Sequence, residues 1–168
     1  MIAILILAAV LSRFIDHPAN VTPILAIALF GSVYLQRKSA LIIPLIALLV
    51  SDYFIGFYEW PVMISVYLSY GLIILIGFYI KKHKSIPTLT GGTLLGSILF
   101  YLVTNFAVWA FYPFYPSTAE GLLTSYVAAI PFFRNALIGN IFYVTVLFGA
   151  YEAFLYLRNK YRLTHGVA

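Results

Sequence analysis

The sequence contains no cysteine, very little charge and only three histidines. Without cysteine there is no disulfide framework, no thiolate metal site and no thiol nucleophile. His17, His83 and His165 are far apart, and no His-x-x-x-His or Glu-x-x-His pair exists, so the common zinc hydrolase patterns are missing and neither a metal nor another cofactor is expected. Charged residues make up 9% of the 168, where a soluble domain carries roughly 25%. A water-soluble globular domain is thereby excluded. What is there instead is 63% hydrophobic and 18% aromatic, with a mean hydropathy of +1.00. Aliphatic runs of that density also exclude a disordered chain, and they place the protein in a bilayer.

A spanning helix needs ~20 mostly apolar residues to cross ~30 Å of hydrocarbon. Between charge and proline breaks, the sequence predicts spans over about 1–15, 19–36, 40–58, 61–80, 91–111 and 136–157. The first run is short, but it has no basic leader and no small-residue cleavage site, so it reads as a helix and not as a signal peptide. Residues 121–133 are too few to span and include Pro131, which predicts a short interfacial helix between helices five and six. Residues 1–157 then form a single transmembrane domain, and 158–168 a basic cytoplasmic tail.

The net charge of +5 does not point to nucleic acid, because the basic residues fall in short clusters between apolar runs. Arg37 and Lys38, then Lys81, Lys82 and Lys84, then Arg158, Lys160 and Arg162 all fall on one side of the predicted topology. The other side receives Arg13 and Arg134. This bias predicts cytoplasmic N and C termini in a multi-pass protein of the bacterial inner membrane. Asp16, Glu59 and Glu120 fall in outer connections and Asp52 in the outer half of helix three, so the unusual chemistry gathers on the outside.

The first outer connection holds Arg13, Asp16, His17 and Asn20 within eight positions, with Pro18 and Pro23 turning the chain away from regular helix. Asn20 reads equally as the cap that starts helix two or as a ligand contact. Asp52 carries the most information, since an ionisable group within a span costs ~2.5–3.5 kcal/mol on insertion scales and normally faces a cavity or a partner. Its candidate partners are Arg13 and Arg134, either as a structural ion pair or as part of a site. Asn105, Asn135 and Asn140 are polar groups in or at the ends of helices five and six, suited to interhelical hydrogen bonds or to a ligand. The aromatic run 109–116, with Trp109 and Tyr112, reads as an interfacial belt or a stacking surface. Gly92 and Gly96 form one Gly-x-x-x-Gly, which predicts close helix packing inside the bundle.

Three blocks carry a resemblance to known proteins. They are Arg13-Phe-Ile-Asp-His-Pro-Ala-Asn-Val-Thr-Pro through Gly31, then residues 44–56 with Ser51-Asp52-Tyr53, and then 104–109 with 129–135. In these the chain resembles a family of small bacterial membrane proteins assigned to transport. More loosely, it resembles the substrate-binding (S) component of energy-coupling factor vitamin transporters. That resemblance implies six helices, cytoplasmic termini, a pocket near the outer surface and a lid between helices one and two. Residues 13–22 would correspond to the lid, and Asp52, Glu59, Trp60, Asn105, Trp109, Arg134 and Asn135 to the pocket lining. It also implies a transmembrane coupling subunit with ATPases as partner. S components carry an Ala-x-x-x-Ala pattern in helix one for that docking, and here Ala8 and Ser12 give only a small-residue substitute.

The expectation is therefore an all-α, six-helix, S-component-like membrane bundle with no enzymatic role. It takes up a small vitamin-like or planar polar solute from the outside, without nucleic acid as a partner. Arg13 and Arg134 would bind a carboxylate or phosphate, Asp52 and Glu59 would fix donors, and Trp60, Trp109 and Tyr112 would cover an apolar face. Two other readings stay open. One is an integral membrane enzyme acting on a lipid, with His17, Asp52 or Glu120 as acid/base; the other is a non-catalytic assembly subunit.

Overall fold

A computed structural model describes residues 1–15 and 18–165. The apolar runs form helices: α1 (Ile2–Leu11), extended by a 3-10 turn over Ser12–Phe14, α2 (Ile24–Tyr34), α3 (Arg37–Ile55), α4 (Trp60–Lys82), α5 (Ile86–Phe111) and α6 (Ala119–His165). Four of them, α3 to α6, are long and apolar enough to cross a bilayer, while α1 and α2 are shorter. The outer surfaces bear the same message. Ile46, Leu68, Leu95 and Phe142 are each about half exposed on different helices, an apolar exterior that requires lipid around it.

The centre of the bundle is α2. Its residues from Ile24 to Val33 are all buried, and it packs against α1, α3, α4, α5 and α6. A helix that is apolar all round belongs inside, and here Ile27, Leu29 and Phe30 meet Ile73 and Ile74 of α4 and Val144, Leu147 and Phe148 of α6. With 11 residues, α2 measures about 16 Å and spans roughly half of the hydrocarbon. The expected helix over 19–36 thus loses its first five residues. Pro23 stands at the N-terminal boundary of α2, with no side-chain cap, and Asn20, a candidate cap by sequence, sits three positions earlier with φ of 66°. Asparagine is among the few residues that adopt this left-handed conformation readily. Irregular backbone within a membrane protein persists where protein covers it or where it lines a cavity, and in the stretch leading into α2 Asn20 and Thr22 line one.

The remaining boundaries follow local signals. Gly56, with φ of 117°, closes α3 at a conformation that side-chain-bearing residues avoid. This ends the helix before the expected position 58. Ser85 and Thr88 cap α5 reciprocally: the Ser85 hydroxyl accepts from the Thr88 N–H at 3.2 Å, and the Thr88 hydroxyl accepts from the Ser85 N–H at 3.0 Å. That box starts α5 five residues before the expected position 91. Gly92 and Gly96 let α5 close on its neighbours. A side chain at Gly92 would press on Ile76 and Ile80, and one at Gly96 would lie 3.3 Å from Ile73 and from Leu25.

The largest departure from expectation is α6. The interfacial helix expected over 121–133, the span expected over 136–157 and the start of the expected tail are one continuous helix of 47 residues, about 70 Å long. Pro131 lies inside it. A proline deletes one backbone hydrogen bond, and membrane helices tolerate that loss. The apolar, helix-favouring residues on both sides carry the helix through.

Candidate solute-binding site

The 3-10 turn after α1 points Arg13 back into the bundle, where its side chain is 11% exposed. The last turns of α3 present Ser51 and Asp52, both buried. Arg13 donates through Nη1 to the Ser51 hydroxyl and through Nη2 to Asp52 Oδ1 at 3.2 Å. Asp52 also accepts from the Tyr67 hydroxyl at 3.3 Å and from the Tyr58 hydroxyl. Three donors thus hold one carboxylate. The Arg13 Nε–H is buried and has no partner among the described residues.

Around this pair lies a cavity of about 200 Å³, lined from six elements, with Arg13 supplied by the 3-10 turn. Asn20, Thr22 and Leu25 come from the irregular lead-in and first turn of α2, Leu48 and Asp52 from α3, and Tyr58, Val66 and Tyr70 from the start of α4 and the connection before it. Phe100 comes from α5, and Ala136 and Asn140 from α6. Each pair on one helix is spaced three or four residues apart, which puts Leu48 and Asp52, Val66 and Tyr70, and Ala136 and Asn140 each on one helix face. The Tyr70 hydroxyl bonds the Thr22 side chain, and Asn140 Nδ2 donates to the Ser97 hydroxyl at 2.9 Å. Gly139 lets α6 press on the lead-in: a side chain there would meet Val21 Cγ1 at 2.9 Å and its Cα at 3.1 Å. Burial, and after it the Asp52 charge, pushes the Tyr58 phenol above its ordinary range, so it stays a neutral donor.

Of the residues singled out by sequence, Arg13, Asn20, Asp52 and Asn140 meet at this cavity. Asp16 and His17 lie outside the described residues. The others do not line it. Arg134 is exposed on α6, so Asp52 takes Arg13 as its partner. Glu59 and Trp60 are exposed as well; the neighbouring Tyr58 turns inward in their place. Asn105 Nδ2 donates to the Tyr101 carbonyl one turn back on its own helix. Asn135 is part-buried outside the cavity, because Asn140, five positions on, occupies the inward face. Trp109 donates from its indole to the Pro116 carbonyl at 2.9 Å, and Tyr112 stacks on Phe114 at 5.1 Å. Both rings organise the 112–118 connection and do not reach the cavity.

The residues that sequence reasoning missed are mostly tyrosines. Tyr58, Tyr67 and Tyr70 are three among fourteen, and nothing in composition separates a tyrosine that holds an aspartate from one in an interfacial belt. Among the described residues no three His, Asp or Glu side chains gather to hold a metal ion.

A second hollow of about 570 Å³ opens at the opposite end of the bundle, between the end of α4, the start of α5 and the α6 stretch from Ile141 to Glu152. It is larger but mostly apolar. Its polar feature is a cluster at the mouth, where Lys84 pairs with Glu152, Tyr34 donates to the same carboxylate, and the Lys84 ammonium lies 4.6 Å from the Tyr34 ring centroid. Specific recognition needs converging polar groups within an apolar wall, and the smaller cavity has these from five elements.

Fold and composition together define a helical integral membrane protein with a buried ionic site between its helices. The chain belongs to a protein family described as a family of unknown function (DUF6580), which it matches over residues 1–163. No curated protein and no solved structure matches it.

Proposed function

We propose that the protein is a membrane transport protein that captures a small, planar, polar solute in the cavity around Arg13 and Asp52 and mediates its uptake. The observation that carries this reading is the cavity itself, where polar groups from five elements converge between the helices of an apolar bundle. Ionisable residues within membrane helices mark solute or ion pathways, proton relays and ligand counter-ions.

In this reading all six helices contribute to a crossing, with α2 and its lead-in together making one. The lysine and arginine clusters face the cytoplasm and the cavity opens to the outside. The half-length α2 with an unwound approach has the form that transporters use where backbone and side chains bind a solute. The 13–22 stretch acts as the lid, in keeping with the resemblance to S components, and uptake proceeds alone or with an energising partner.

Mass spectrometry of small molecules released from the full chain purified in mild detergent tests the proposal. One metabolite should co-purify with the wild-type protein and be depleted at least tenfold in Arg13→Ala and in Asn20→Gly. Asn20→Gly keeps the left-handed backbone and so separates lost binding from lost folding. Retention of the metabolite in both variants, or absence of any released solute, would remove the carrier reading.

A further inference from the structure

Resting on that reading, the structure assigns a ligand class to the cavity: we infer an uncharged solute of a single ring, held by amide groups at its edge and not by an ion pair. The first observation is size. A cavity of about 200 Å³ exceeds the ~150 Å³ that accepts a benzene ring and falls below the ~300 Å³ at which pockets for drug-sized ligands begin. One ring with small substituents fits; two fused rings with a sugar do not.

The second observation is charge closure. Arg13 and Asp52 are the only formal charges lining the cavity among the described residues, and they cancel. Arg13 gives one N–H of each Nη to Ser51 and Asp52 and keeps its buried Nε–H unpaired among the described residues, while Asp52 is held in addition by Tyr67 and Tyr58. An incoming carboxylate could reach that Nε–H, but it would set a second buried negative charge beside Asp52 against one cation, and a buried charge without its own counter-ion is costly. An incoming cation would in the same way leave a positive charge in excess beside Arg13. A neutral solute leaves the pair intact.

The third observation is what remains available. Asn20, exposed at the rim, offers an amide, and Asn140, tied through Nδ2 to Ser97, retains its carbonyl as an acceptor. Two amides supply donors and acceptors of the kind a lactam or carboxamide edge complements. Leu25, Leu48 and Val66 are apolar, and the Phe100 and Tyr70 rings, 5.3 Å apart at the wall, give a planar ring a surface to stack on.

Equilibrium dialysis with the detergent-purified full chain decides the matter, using matched pairs that differ in charge alone. The probes are nicotinamide against nicotinate, and orotamide against orotate, with adenosine as an oversized neutral compound. At least one neutral ring should bind ten or more times more tightly than its anionic counterpart. Adenosine should not bind, and binding should weaken at least tenfold in Asn20→Gly and in Asn140→Ala. Equal or tighter binding of an anion, binding of adenosine, or failure of every neutral ring overturns the ligand class. A charged or larger metabolite released from the wild-type protein would then leave the transport reading standing, whereas no binding together with no released metabolite would end both.

Discussion

Arg13 is the residue on which the outer end of the bundle turns, because its planar fork reaches Ser51 and Asp52 at once. Truncating it leaves Asp52 buried without its cation, and removing one partner of such a pair typically costs about 3–5 kcal/mol. Arg13→Ala should therefore lower the melting temperature in detergent markedly, while Arg13→Ala with Asp52→Ala recovers most of the loss. A loss in the double variant equal to the sum of the losses in Arg13→Ala and Asp52→Ala would show that the pair is not coupled. Arg13→Lys should not rescue, since a point charge cannot make the two separate contacts. Tyr58 adds a pH dependence. Its phenol is held above the ordinary value by burial and by Asp52, so on unfolding it returns to ~10. The stabilisation from this group is complete below that value and fades as the pH rises past it, because the unfolded chain gives up its proton first. The melting temperature of Tyr58→Phe should consequently fall less steeply than that of wild type between pH ~9.5 and ~11.

Among the elements, α2 and α4 make a close contact. Gly77 on α4 faces Ser32 on α2 so closely that a side-chain carbon at position 77 would overlap Ser32. Gly77→Ala should be overpacked and lose about 1–3 kcal/mol. Gly91→Ala, at the neighbouring open position on α5, should be neutral or slightly stabilising, since alanine favours the helix. Thermal melts of the two variants side by side report on packing and separate it from helix propensity. The elements also show what local sequence signals can carry. The Gly-x-x-x-Gly of α5 packs within the bundle as its spacing implies. Pro131 reads as a break from sequence because proline ends helices in water, yet in α6 the backbone runs on, supported by α5 alongside. There the Tyr101 hydroxyl bonds the Tyr126 carbonyl and the Tyr126 hydroxyl bonds the Leu102 carbonyl. Pro23, which by sequence turns the chain away from regular helix, does stand at a helix end.

At the scale of the molecule, composition alone identified a membrane chain, and the cost of burying Asp52 in lipid identified its need for a partner. Which arginine serves was not legible, since Arg13 and Arg134 lie on the same side of the predicted topology and only the continuity of α6 turns Arg134 outward. The cavity wall was legible where a polar residue stood out in an apolar run, as Asn140 does, and hidden where the lining residue was one tyrosine or leucine among many. The proposed orientation has a direct check, because a chain without cysteine gives no background to thiol reagents. In intact cells, Ala136→Cys at the cavity should react with a membrane-impermeant maleimide, and Lys82→Cys at the far end should react only after permeabilisation. The reverse pattern would invert the topology.

The unbroken α6 carries one more implication. Its stretch facing the second hollow ends at Glu152, beside the capped start of α5, yet the helix runs on to His165, some 20 Å further at ~1.5 Å per residue. Those last turns, with Arg158, Lys160 and Arg162 exposed, form a cantilever, and a load applied to them would act along one continuous helix that also carries Asn140 and Ala136 at the cavity around Arg13.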